Sequence, residues 1–191
     1  MKDKLVVSEL AGINEPPLIE KTIGKYFDET VAEYPDALAL VSRHQGVRWT
    51  YRELQLQVDA LAAGLLNLGI EPGDRVGIWA PNCYEWVLTQ FATARMGAIL
   101  VCLNPAYRSS ELEYALNRVE CKAIVLAEKF KTSDYHKILR ELAPEVASSE
   151  AGKLQSAALP HLRTVISLSQ AGQPGMFCFA EVCIAGSDAD R

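Results

Sequence analysis

Nothing in this chain pairs its cysteines. Cys83, Cys102, Cys121, Cys178 and Cys183 are odd in number, and no two of them form a Cys-x-x-Cys pair. The three histidines, His44, His136 and His161, are scattered, so metal-ligand spacing is absent as well. The cysteines therefore read as small buried hydrophobes of a reducing compartment. Long hydrophobic runs are also missing. The longest, Ala98 to Leu103, falls far short of the roughly 18 residues that a membrane span requires. There is no basic excess: 19 lysines and arginines face 24 aspartates and glutamates, for a net charge of −5. That balance argues against a nucleic-acid partner. The opening residues hold too short an apolar stretch for a signal peptide. With Asp3, Glu9 and Glu15 and no arginine before Arg43, they do not read as a mitochondrial presequence either. The expectation is a cytoplasmic chain without a membrane span.

Glycine is scarce where a nucleotide site would need it. No Gly-x-Gly-x-x-Gly and no Gly-x-x-x-x-Gly-Lys-Ser/Thr occurs, so no turn is built to lay backbone amides onto phosphate. That absence argues against a flavin- or nicotinamide-dependent oxidoreductase. No serine sits in a Gly-x-Ser-x-Gly elbow. His44 falls in a hairpin turn, His136 on a short helix near Asp134, and His161 in a loop. Each reads as a surface residue rather than a catalyst.

What is present is a core. Hydrophobic residues make up 49 % of the 191 and charged residues 23 %, ordinary values for a globular protein. Residues 1–21 read as an irregular arm, broken by Pro16-Pro17. Thr22 can cap a helix carrying Ile23, Phe27 and Val31 on one face, which Pro35 ends. Two apolar stretches around His44-Gln45-Gly46 make a hairpin. Thr50 and Glu53 form a capping box for a helix lined by Leu54, Val58, Leu61, Leu65 and Leu68, stopped by Gly69. Val76 to Ala80 is a strand. Asn82 with Glu85, and Ser110 with Glu113, are read as further caps. The first opens a helix with Val87, Phe91 and Ala94 inward, the second one with Leu112, Leu116 and Val119. Ile99 to Leu103 is a strand lacking polar alternation, as when both faces of a sheet are covered. Ala123–Leu126 and Thr164–Leu168 are further strands, with a helix marked by Tyr135, Ile138, Leu139 and Leu142 between them.

This alternation with short connections predicts an α/β fold, an open and mostly parallel sheet with helices on both faces, over residues 22–168. Residues 143–161 read as a surface loop or as a helix without clear periodicity. Residues 169–191 read as a linker and a partly disordered tail, in which Phe177 to Ile184 is a short element with too little beyond it to pack against. Ligands of such sheets favour the carboxyl ends of the strands. Asn82, Asn104 and Tyr107 lie just past strand ends and are the candidate site positions. A structural account competes for each: Asn82 as a helix cap, Asn104-Pro105 as a turn, Tyr107 as packing.

Two segments carry a family resemblance. Trp49-Thr50-Tyr51-Arg52-Glu53-Leu54 opens one helix, and Ala94-Arg95-Met96-Gly97-Ala98-Ile99-Leu100-Val101-Cys102-Leu103-Asn104-Pro105 joins a helix to a strand. In this order and spacing they resemble the first two signatures of the adenylate-forming superfamily. The stretches Gly69 to Trp79, Pro81 to Val87, Asn104 to Arg108 and Glu111 to Leu116 are similar to the medium-chain branch of the fatty acid–CoA ligases and its bacterial relatives. The likeness covers roughly residues 20 to 185 and implies an incomplete piece of the large N-terminal domain of an acyl-CoA synthetase. Such enzymes join a fatty acid to CoA through an acyl-adenylate, using ATP and Mg2+. The phosphate-gripping loop, the later acidic and aromatic motifs and a lysine on a small C-terminal domain all lie beyond the matched region. The resemblance therefore carries no catalytic, cofactor-binding or metal-binding residue onto this chain. It implies no cofactor for this piece alone and no ligase activity. It leaves open a half-domain acting as a binding or regulatory partner of a full-length synthetase, and self-association.

Overall fold

The computed structural model describes residue 12 and residues 15–188. The arm expected over 1–21 falls largely outside the described residues; within 15–21 no regular element forms. Helix α1 (Ile23–Glu33) starts at Thr22, whose hydroxyl accepts from the Lys25 amide. Its buried face is Phe27 and Val31, while Ile23 stays 57 % exposed. Strands β1 (Leu38–Ser42) and β2 (Val47–Thr50) make the hairpin, with a short 3-10 turn over Arg43–Gln45. Helix α2 (Tyr51–Asn67) begins with the capping box: Thr50 Oγ1 accepts from the Glu53 amide and Glu53 Oε2 from the Thr50 amide.

The central sheet follows. It contains β3 (Arg75–Trp79), β4 (Ile99–Cys102), β5 (Ala123–Leu126), β8 (Thr164–Ser167) and β9 (Phe177–Cys178), in the order β4-β3-β5-β8-β9. Every pairing in it is parallel. Between these strands lie α3 (Tyr84–Met96), α4 (Ser109–Arg118), the small ribbon β6 (Lys129–Phe130) and β7 (Ser133–Asp134), and α5 (Tyr135–Leu142). Alternation along the strands splits the core in two. Val76, Ile78, Ala123, Val125 and Ile166 face a cluster with α1, α2 and α3. Trp79, Ile124, Leu126 and Val165 face a second cluster with α4 and α5. The sheet is thus apolar on both faces and covered by helices on both, as the sequence pattern implies.

Several local expectations are corrected. Strand β4 is not covered like the others. Among the described residues it is one of the two edge strands, with Ile99 52 % exposed and Cys102 exposed, so Cys102 is not a buried hydrophobe. Asn82 does not cap α3. The cap is Cys83, with no side-chain bond of its own, and the hairpin turn supplies the capping groups. Gln45 Oε1 accepts from the Tyr84 amide, and Gln45 Nε2 donates to Glu85 Oε2, both at 2.8 Å. The fully buried face of α3 includes Leu88, Thr89, Ala92 and Thr93, while the expected Val87 and Phe91 pack half-buried against the first core beside it. Helix α4 starts earlier than Ser110: Glu111 Oε2 accepts from the Arg108 amide at 3.0 Å.

Residues 143–161 are not a surface loop. They form a 3-10 turn over Pro144–Ala147 and an irregular run whose Val146, Leu154 and Leu159 are buried in the second core. The segment expected to have nothing to pack against becomes β9 and helix α6 (Phe179–Asp188), with Phe179 and Val182 in the first core. Helices α2 and α6 meet at backbone distance. A Cβ on Gly64 would lie 2.1 Å from the Val182 carbonyl oxygen, and one on Gly186 would lie 1.9 Å from that of Ala60. Of the tail expected to be disordered, Gly186 to Asp188 belong to α6 and 189–191 lie outside the described residues.

Candidate functional site at the strand ends

Parallel strands bring their carboxyl ends to one side of the sheet. There, β3 ends at Trp79 and β4 at Cys102. Trp79 is fully buried and stacks on Tyr135, with ring centroids 3.6 Å apart and planes at 10°. Each ring reaches up to the turn after β4 with its polar tip. Trp79 Nε1 donates to the Asn104 carbonyl at 3.0 Å, and Tyr135 Oη donates to the Pro105 carbonyl at 2.6 Å. Burial pushes the Tyr135 phenol up to about 12, so it stays a donor across the physiological range. The turn closes on itself as well: Asn104 Oδ1 accepts from the Ala106 amide at 2.9 Å, and the Asn104 carbonyl accepts from the Tyr107 amide at 3.0 Å. This is the local hydrogen bonding that makes Asn a turn residue.

The result is a rigid rim around a cleft of about 450 Å³, lined by Ala80, Asn82, Trp86, Cys102, Asn104 and Tyr107. The three candidate positions therefore share one cleft. Their roles differ: the carboxamide oxygen of Asn104 is committed to its turn, whereas Asn82 is exposed and free of the capping duty that Gln45 performs. Tyr107 is half-buried. Cys83, next to the rim, is no nucleophile, because burial and then the Glu85 charge push its thiol up to about 12.

The cleft does not fit a triphosphate or its metal. A phosphate grip needs several free amides converging on one point. Here Pro105 offers none, and the amides of Ala106 and Tyr107 are spent within the turn. Among the described residues no cluster of three or more His, Cys, Asp or Glu could hold a metal ion.

His136 is placed differently from expectation. It is buried at 5 % exposure, and its Nε2 lies 2.9 Å from Ser167 Oγ at the end of β8. His44 and His161 are exposed. Sequence reading missed the buried His136 and Ser167 pair because its members stand 31 residues apart. The one signal was the amphipathic spacing of Tyr135, Ile138 and Leu139, which turns His136 toward the same interior.

Comparison with known proteins agrees with this architecture. The chain is 49 % identical over 170 residues to the medium-chain acyl-CoA ligase ACSF2, mitochondrial, of Bos taurus, covering 89 % of this chain and 28 % of that protein. It is 44 % identical over 183 residues to the protein of the same name in Danio rerio, covering 96 % and 30 %. The chain thus spans less than a third of the length of these curated relatives. Among solved structures, Mycobacterium smegmatis MbtA superposes with a TM-score of 0.68 at 26 % identity, covering 87 % of this chain and 28 % of that one. A Mycobacterium tuberculosis fatty acyl CoA synthetase shares the fold, with a TM-score of 0.68 at 21 % identity over 86 % of this chain and 28 % of that one. No helix among the described residues is long and apolar enough to cross a membrane. The profile described as AMP-binding enzyme matches residues 27–179, most of the parallel sheet and both of its cores, and the chain belongs to that family.

Proposed function

We propose that this chain is the N-terminal part of an AMP-forming fatty acid–CoA ligase acting on medium-chain acids. The observation that carries the reading is the 49 % identity over 170 residues to a medium-chain acyl-CoA ligase. The chemistry explains why a piece of this size would not suffice. A carboxylate resists nucleophiles. Attack of its oxygen on the α-phosphorus of ATP expels pyrophosphate and gives an acyl-adenylate. The CoA sulfur then attacks the acyl carbon, and AMP leaves. Electrostatic stabilisation of the triphosphate is the hard requirement, and the strand-end turns of this chain are not built to supply it. In this reading its own contribution is a rigid floor. The stacked Trp79 and Tyr135 fix the turn Asn104 to Tyr107, and the cleft edged by Asn82 and Tyr107 borders the ligand. The cytoplasmic location expected from composition draws no support from the vertebrate relatives, whose name places them in mitochondria.

A segment exchange tests the proposal. Residues 27–179 replace the matching stretch of the bovine ligase, and acyl-CoA formation is measured with acids of graded length. The exchanged enzyme is expected to retain activity toward medium-chain acids, whereas the 191-residue chain alone supports no acid-dependent exchange of pyrophosphate into ATP. A folded exchanged enzyme unable to form acyl-CoA, or exchange activity in the chain alone, would refute it.

A further inference from the structure

The segment joining β8 to β9 is held on α5 by two side chains one helical turn apart. Ser167 Oγ accepts from the Ser169 amide at 3.0 Å and meets His136 Nε2 at 2.9 Å. Arg140 Nη2 donates to Gln173 Oε1 at 2.6 Å. A third restraint lies further along. Gly175 has φ +72°, and a Cβ there would sit 1.7 Å from the Val146 carbonyl oxygen. The crossover is therefore wedged against the α5 side of the molecule. What it delivers is β9, which pairs with β8, and then α6, which closes the first core on α2.

The atoms decide the protonation state of the pair. Ser167 is 1 % exposed, and its oxygen already accepts one amide. Its own hydrogen needs an acceptor, and the imidazole Nε2 is the one in reach. That arrangement requires a neutral His136 with its proton on Nδ1. We propose that His136 and Ser167 form an acid-sensitive clasp, whose opening frees the β8–β9 crossover and with it the docking of β9 and α6. Protonation at Nε2 would turn the acceptor into a donor and strand the buried serine hydrogen. It would also place a second cation beside Arg140 on the same face of α5.

The groups around the imidazole favour the neutral form. Burial, then the Arg140 charge, hold His136 below the ordinary histidine range, against the upward pull of Asp134 and Glu128. A histidine depressed in the folded state binds fewer protons than the unfolded chain. The stability the clasp contributes is therefore fully present above the unfolded value near pH 6.5 and is lost as pH falls from there through the lower folded value.

The test uses the 191-residue chain with labelled histidines. Imidazole nitrogen shifts should show His136 as the Nδ1-protonated tautomer, titrating below the ordinary histidine range. Hydrogen exchange across residues 169–178, corrected for intrinsic rates, should speed up by about tenfold as His136 protonates. In His136→Gln, which keeps a neutral acceptor, that pH response should vanish. Should this variant fail to fold, Ser167→Ala serves instead, and His136 should then titrate closer to the ordinary histidine range. Titration of His136 at or above the ordinary histidine value, or an equal pH response with and without the imidazole, would overturn the clasp.

Discussion

At Thr50 and Glu53 a single hydroxyl and a single carboxylate close the first turn of α2. The hydroxyl accepts from the Glu53 amide at 3.3 Å, and the carboxylate accepts from the Thr50 amide at 2.8 Å and from the Thr50 hydroxyl at 2.9 Å. Those bonds, the backbone one first, hold the Glu53 carboxyl below its usual range. Because α2 carries buried Leu54, Val58, Leu61 and Leu65, fraying its start loosens a face of the first core. Thr50→Ala should lower the stability of the folded chain by about 1 kcal/mol, with Thr50→Ser retaining most of it. Urea unfolding at neutral pH checks this, and an unchanged midpoint in the alanine variant would contradict it. The direction with pH also follows. A carboxyl depressed on folding stabilises above its unfolded value and loses that contribution as pH falls through the folded one. The gap between wild type and Thr50→Ala should therefore narrow in acid below about pH 4.

Among the elements, the pairing of α2 with α6 depends most on what is missing from a side chain. Helices usually sit 8–10 Å apart, at a distance set by the residues between them. Here Gly64 and Gly186 let the backbones touch, and a methyl on Gly64 would fall 2.1 Å from the Val182 carbonyl oxygen. Gly64→Ala should cost about 1–3 kcal/mol through overpacking, despite the better helix propensity of alanine. Gly172, where an added methyl would meet nothing within 4 Å, is the control, and Gly172→Ala should be near neutral. Equal unfolding midpoints for the two variants would refute the close-contact argument. This pairing also marks where sequence reading stops. Helices such as α2 and α5 were legible because their apolar residues recur on one face, and β3, β5 and β8 because short apolar runs alternate with them. The α6 contact was not, because two glycines at distant positions carry no periodic signal. The α3 cap was hidden for a similar reason: Gln45, which supplies it, lies 39 residues before Tyr84. Leu154 and Leu159 were hidden because an irregular chain can bury leucines without any repeat. At the candidate site, Asn82, Asn104 and Tyr107 could be placed at strand ends from pattern alone. The buried rings of Trp79 and Tyr135 that shape the rim could not, since α3, β4, α4, β5 and the small ribbon separate them in sequence.

For the whole molecule, the decisive feature is the β4 edge of the sheet, which no strand among the described residues pairs on its outer side. The sequence Ile99-Leu100-Val101-Cys102 reads equally well as a central or an outer strand, and the structure makes it the outer one. In a parallel ladder, alternate residues bond to the same neighbour. The Ile99 amide donates to the Asp74 carbonyl at 2.8 Å and the Leu103 amide to the Ile78 carbonyl at 3.0 Å. Leu100 and Cys102 consequently turn their backbone groups away from β3. Natural edge strands are blunted by charge, proline or a bulge, and residues 99–102 contain neither charge nor proline. Ile99 adds an apolar side chain at 52 % exposure. The isolated chain should therefore self-associate through β4, a behaviour that sedimentation velocity under reducing conditions would register as a species heavier than 21.0 kDa. Lysine placed on the strand should reverse it, because two paired edges would bring like charges together in a partly desolvated ladder. Cys102→Lys is the direct variant, since Cys102 is exposed, and Ile99→Lys is the second. Reversion to a monomer in both, with unchanged helical content, is the expected result. A monodisperse monomer in the unaltered chain, or oligomers indifferent to both lysines, would show that β4 is not the sticking edge.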